Sequence, residues 1–188
     1  MTEGNPPPAS GDYSVPIEEV VGKVTLWGLL LMFVPLVPYI ALYGFGSLFG
    51  EFRPLAALAL IVVFTLAHEG FHVFGWKYWG NLPWSKFEFG FKWEALAPYA
   101  HATAPMQASA YKLGTALPGV MTGLLPYGIA LALGDPTMTL VGAVMISGAV
   151  GDLYVLWLLR DVPPDAYLKD HPENVGCILV DGPDSHKA

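Results

Sequence analysis

A chain of 188 residues has room for one compact domain, and only 13% of its residues are charged, against roughly 25% in typical soluble domains. Apolar residues reach 54% and mean hydropathy is +0.47, more than a single water-surrounded core of this size needs, which excludes an ordinary soluble globule and points to a membrane protein. The net charge of -7 argues against a nucleic-acid partner, and a single cysteine, Cys177, excludes an intrachain disulfide and a cysteine-rich zinc cluster.

Residues 1–22 open with the acidic, proline-rich "MTEGNPPPASGDY", where a secretory signal would be basic and then apolar, and are expected to form a disordered cytoplasmic tail. The region 23–160 then holds four stretches long enough to cross a bilayer core, which takes about 20 helical residues. They are Val24 to Phe49, Pro54 to Trp79, Gln107 to Leu133 and Thr137 to Leu159. The short links "GEFRP" and "GDP" make each successive pair an antiparallel hairpin. The expected fold is an all-α four-transmembrane-helix bundle with a short β-strand or hairpin in the cytoplasmic loop between the second and third helices.

Lys and Arg accumulate on the cytoplasmic side of membrane proteins. Lys23, Lys77, Lys86, Lys92, Lys112, Arg160, Lys169 and Lys187 fall on one side of the four spans, and Arg53 alone falls on the other. Both termini and the long central loop are therefore expected in the cytoplasm, with the lipid bilayer as partner and a prokaryotic plasma membrane as location. Trp27, Trp76, Trp79, Trp84, Trp93 and Trp157 lie near the same side, where indoles favour the interface.

In the second span, "FTLAHEGFHVFGW" sets His68, Glu69 and His72 in the pattern H-E-x-x-H. On a helix the two histidines share a face and can hold one metal ion, while Glu69 is turned about 100° from His68 and can reach a metal-bound water. A zinc hydrolase needs this set: two neutral imidazoles as ligands and a carboxylate to take the proton of water. The alternative is a pair of histidines hydrogen-bonded between helices.

The central loop carries "KFEFGFKWE", whose alternation at Phe87, Phe89, Phe91 and Trp93 predicts a strand with one apolar face. Such a strand can hold an extended substrate at its edge or rest on lipid headgroups. His101, further along the loop, is a candidate for substrate binding beside the metal. Gly114, Pro118, Gly119, Gly123 and Pro126 interrupt the third span, where kinks either admit water or shape helix packing.

Two histidines leave a catalytic metal one protein ligand short. Asp152 is the sole acidic residue inside the other spans. Counted along helical rise, His72 lies about 10 Å from Trp79 and Asp152 about 12 Å from Arg160, so their depths agree. Unpaired, such an Asp costs about 2.5 to 3.5 kcal/mol at mid-helix, and a metal cation removes most of that penalty. A protonated histidine or a packing hydrogen bond are the alternatives. Gly148 and the Ser147–Gly151 pair predict a small-residue surface for close helix approach. A b-type haem fails, because histidines four apart on one helix cannot occupy opposite faces of one haem and no other span holds a histidine. The tail from Asp161 to Ala188 reads as irregular and partly ordered.

From "HEGFH" through "PYAHATAP", "YKLGTALPGVMTGLLP", "SGAVGDLYVLWLL" and "DHPENVGCILV", the chain resembles the putative zincin peptidase family of small integral-membrane proteins, distant relatives of the site-2 proteases. The resemblance implies zinc ligation by His68, His72 and Asp152, catalysis by Glu69, and a substrate cleaved within the bilayer. Asp152 sits in "GAVGDLY" where site-2 proteases have an N-P-D-G surround.

The resulting expectation is a zinc-dependent, membrane-embedded endopeptidase using one Zn2+ ion, a metal-activated water and Glu69 as general base. Its substrate would be a membrane protein or peptide. Two alternatives stand beside it: a catalytically silent zinc-binding membrane protein that binds partners without cleaving them, and a transporter with His68, His72 and Asp152 as a translocation site.

Overall fold

The computed structural model describes residues 11–93 and 97–182. In chain order they form strand β1 (Asp12–Val15), helices α1 (Ile17–Phe33), α2 (Leu36–Tyr43), α3 (Ser47–Gly50) and α4 (Pro54–Trp79), and strands β2 (Phe87–Lys92), β3 (Ala97–Ala102) and β4 (Met106–Gln107). Helix α5 (Ala108–Pro118) continues through a π-helical stretch, Gly119–Leu124, into α6 (Leu125–Leu133). Helices α7 (Pro136–Gly148) and α8 (Val150–Leu158) follow, then strands β5 (Tyr167–Asp170) and β6 (Val175–Val180).

Four helical segments are long and apolar enough to cross a membrane: Ile17–Tyr43, Pro54–Trp79, Ala108–Leu133 and Pro136–Leu158. The second and third match the expected spans closely, because prolines, caps and hydropathy change together at their ends. The first differs. It begins at Ile17 and ends at Tyr43, where Gly44 takes φ +83° and breaks the helix, so that Ser47–Gly50 form a separate turn. Apolar composition persists past Gly44, which is why hydropathy alone extends that span to Phe49. The fourth span is interrupted at Ala149, between α7 and α8.

At the end of the bundle that carries the two short links, polar groups fasten the helices. Asp135 caps α7 by accepting the Met138 N–H at 3.0 Å and pairs with Arg53 at 3.1 Å. The hydroxyls of Tyr39 and Tyr43 donate to the carbonyls of Gly134 and Leu131. Large apolar side chains such as Leu30, Val37, Leu55, Leu66 and Leu133 project outward from the helices, the surface a lipid environment accommodates.

The expectation that β structure is confined to the loop between the second and third spans is corrected by a four-stranded antiparallel sheet, ordered β1-β6-β5-β4, at the opposite end. Residues 12–15, expected in a disordered tail, form its edge strand, and the C-terminal segment supplies its β5–β6 hairpin. Residues 1–10 and 183–188 of the two expected tails lie outside the described residues. Gly176 in β6 has φ +119°, and a Cβ there would run into the Tyr13 carbonyl, so β1 can approach only a glycine. The expected hairpin is present separately, with β2 paired to β3 from Phe87↔Ala102 to Lys92↔Ala97.

Leu168 and Cys177 of the sheet, Met106, and Trp76, Tyr111 and Leu159 of the helices share one buried cluster. Burial of each large apolar side chain contributes roughly 1.5 to 3 kcal/mol, so this cluster holds the sheet against the ends of α4, α5 and α8.

Candidate metal centre

Helix α4 carries His68 and His72, both buried, with ring centroids 5.0 Å apart. Each ring has a partner for Nδ1. For His72 it is the Gly114 carbonyl, at 3.1 Å. Inside a helix that carbonyl would accept from the residue four positions on, but that residue is Pro118, which has no N–H. The freed acceptor is brought within reach because α4 and α5 cross on glycine: a Cβ on Gly75 would lie 2.6 Å from Gly114 Cα. Trp76 stacks on the His72 ring and donates its indole N–H to the Tyr111 carbonyl at 3.2 Å, which fixes the ring's other flank.

His68 Nδ1 lies 3.4 Å from Thr122 Oγ1. The single hydroxyl proton of Thr122 is committed to the Pro118 carbonyl at 2.8 Å, so its oxygen can only accept from the ring. Both imidazoles therefore carry their proton on Nδ1, a tautomer assigned from the partners, and turn the Nε2 lone pair outward.

Opposite these lone pairs is Asp152, in the first turn of α8 directly after the break at Ala149. Its Oδ2 lies 3.0 Å from His68 Nε2 and its Oδ1 3.3 Å from His72 Nε2. Despite that proximity, Oδ2 is buried and has no hydrogen-bond partner of acceptable geometry among the described residues. Lone pairs facing a carboxylate repel unless a metal cation lies between them or a proton sits on Nε2, and the zinc reading takes the first of these. Donor atoms bound tetrahedrally at 2.0 to 2.2 Å sit about 3.3 to 3.6 Å apart, a range the His72 spacing meets and the His68 spacing falls a few tenths of an ångström short of, and an N, N, O set is a zinc ligand set. The residues thus fit a zinc ion.

Glu69 stands beside this set. Ligand-type atoms of His68, Glu69 and His72 lie within 4.8 Å of one another, and Glu69 Oε2 accepts the Ala100 N–H of β3 at 2.7 Å. All four side chains line a cleft of about 440 Å³ between α4, α5, α8, the β2–β3 hairpin and the turn after β5. Gly148 and Gly151 also line it. Expected as a close-packing surface, they instead meet no atom of the described residues within 4 Å of an added Cβ. Helix approach falls to their neighbour Ser147, whose hydroxyl donates to the Gly28 carbonyl at 2.8 Å.

His101 lies in the cleft wall, together with Glu88 and Tyr99. Phe87, Phe89 and Phe91 do not line it: Phe87 packs on the buried cluster, while Phe89 and Phe91 are exposed on the hairpin's other face. Tyr111 and Asp170, which carry no functional signal in the sequence, line the cleft as well. Buried Asp170 accepts the Tyr111 hydroxyl on Oδ1 at 2.5 Å and the Ala102 N–H on Oδ2 at 2.8 Å, and His101 Nδ1 lies 3.5 Å from Oδ2. Burial pushes this carboxyl above its usual range, while those donors and the imidazole draw it down. The only sequence sign of it is an acidic residue opening "DHPENVGCILV", and nothing in that stretch names its partners.

Membrane-length helices around a His-Glu-His group, with a carboxylate opposite and a cleft alongside, are the parts of a helix-bundle metallopeptidase. Residues 60–167, more than half of the chain, match the family model described as Putative zincin peptidase, and the chain belongs to that family. The family implies zinc, in agreement with the proximity of His68, Glu69 and His72. No curated protein and no solved structure matches the chain.

Proposed function

We propose that the chain is a membrane-embedded zinc endopeptidase in which His68, His72 and Asp152 hold one ion and Glu69 is the general base. The observation that carries this reading is the Asp152 carboxylate, whose buried Oδ2 lacks a hydrogen-bond donor among the described residues and whose two oxygens lie against Nε2 of His68 and of His72. When bound, zinc lowers the pKa of its water to about 7 and polarises the scissile carbonyl. Glu69 takes the proton as the water oxygen adds to the carbonyl carbon, and the carbonyl π pair moves to oxygen. As that pair returns and the C–N bond breaks, Glu69 passes the proton to the departing amine nitrogen, leaving a carboxylic acid and an amine, which become carboxylate and ammonium when the acid's remaining proton is transferred.

The substrate in this reading is a membrane protein or peptide with an extended segment in the cleft. Strand β3 borders that space, and its Ala100 and Ala102 N–H groups point to Glu69 and Asp170 rather than to β2. By the distribution of Lys and Arg, the sheet end of the bundle and both termini face the cytoplasm.

The silent zinc-binding alternative draws on Glu69 being engaged by a backbone amide. Glu69→Gln separates the two. The test substrate is a pooled library of single-span peptides reconstituted with the protein in liposomes and read by mass spectrometry. The wild type should generate new termini and Glu69→Gln should lose at least about 100-fold in rate with zinc retained. Zinc-loaded wild type that cleaves nothing, or a Glu69→Gln variant that cleaves normally, contradicts the assignment.

A further inference from the structure

The cleft holds a second polar group that the zinc chemistry does not use. We propose that His101, positioned by Asp170 and Tyr111, is the hydrogen-bond donor to the scissile carbonyl oxygen as that oxygen becomes negatively charged, an inference that rests on the peptidase reading above.

Position is the first support. His101, Tyr111 and Asp170 line the same cleft as His68, Glu69, His72 and Asp152. Glu69 is tied to the Ala100 N–H at 2.7 Å, and His101 is the next residue of β3, so the base and the imidazole are anchored to consecutive residues of one strand. A water-activating carboxylate and an oxyanion donor must both lie close to one carbonyl carbon, and a shared strand fixes their separation.

The chemistry of the support is the second. Asp170 is only 7% exposed, and burying a carboxylate is costly unless donors surround it. Its donors come from α5 through Tyr111 and from β3 through Ala102, and His101 Nδ1 lies 3.5 Å from the Oδ2 that Ala102 also serves. An imidazolium donates from both nitrogens, so Nδ1 can face Asp170 while Nε2–H serves a ligand in the cleft. Asp170 acts through His101 and is a positioning residue. It comes from the end of β5, beyond the family-matched residues 60–167, so the C-terminal hairpin contributes to the site.

The test uses the full chain in detergent with measured zinc content. Two probes are compared by calorimetry: a phosphinic pseudopeptide, whose tetrahedral anionic group mimics the charged carbonyl oxygen, and the amide peptide of the same side chains. His101→Ala should weaken phosphinate binding about 100-fold, the scale of one oxyanion donor, while changing amide-peptide binding less than about 3-fold. His101→Gln, which keeps an N–H donor, should recover most of the loss, and Asp170→Asn should weaken phosphinate binding by about 10-fold. Zinc content should be unchanged in all three variants.

Equal losses for both probes, or no loss for the phosphinate, would overturn the role of His101 while leaving the zinc peptidase reading intact. Failure of zinc-loaded wild type to bind the phosphinate overturns it as well. A zinc-free wild type overturns both readings, so metal content tells the two failures apart.

Discussion

The carbonyl of Gly114 is free to orient His72 because Pro118, four residues further along α5, has no N–H to offer it. A helix irregularity is thereby converted into an acceptor at 3.1 Å from a ring nitrogen. The same proline supplies the carbonyl that fixes the Thr122 hydroxyl, and through it the tautomer of His68. One residue of the third span thus governs both imidazoles.

Pro118→Ala restores a competing N–H to the Gly114 carbonyl, and Thr122→Val removes the acceptor of His68. Each should reduce zinc affinity by about 10- to 100-fold, the usual cost of losing a hydrogen bond behind a metal ligand. Competition with a chelating dye measures it, and unchanged affinity in both variants would show that these contacts do not tune the ligands.

The break at Ala149 turns Gly148 and Gly151 toward open space beside Asp152. Gly148→Leu places a branched side chain in the cleft from a position whose Cβ meets no described atom within 4 Å. Peptide hydrolysis should fall by at least about 10-fold with zinc content unchanged, since access rather than chemistry is blocked. Full activity in this variant would mean that substrate enters elsewhere.

Cys177 sits in the core between sheet and helices, and burial, reinforced by the nearby Asp170 and Asp12 charges, pushes its thiol above the ordinary value of about 8.5. A raised folded-state value means that the stability it contributes is fully present below the unfolded pKa and is lost as pH rises toward the folded one. Tm should therefore decline from about pH 8.5 upward, and Cys177→Ala should flatten that decline while lowering Tm at neutral pH through the cavity it leaves. An identical slope in wild type and variant, followed by scanning calorimetry between pH 8 and 9.5, would contradict the assignment.

The sequence disclosed the parts whose signal is local. Spacing of four places His68 and His72 on one face, and helical rise alone brings Asp152 to their depth, a placement the 3.0 and 3.3 Å distances match. The alternation around Phe87 announces β2 correctly, but alternation does not say which face meets the cleft, and the cleft takes Glu88 rather than the phenylalanines. The four-stranded sheet was illegible. Its strands are short, β4 has two residues, and β1 pairs with β6 from the far end of the chain, so neither periodicity nor turn residues announce the pairing. The roles of Pro118 and Asp170 likewise depend on which residues of other elements lie opposite them.

The central claim is that Asp152 completes a metal site with His68 and His72. Elemental analysis of purified wild type, Asp152→Ala and His72→Ala tests it most directly. About one zinc per chain is expected in the wild type, and loss of bound zinc in both variants, with helical content by circular dichroism preserved. Full zinc retention in Asp152→Ala would remove that residue from the site, and a zinc-free wild type would contradict the whole account.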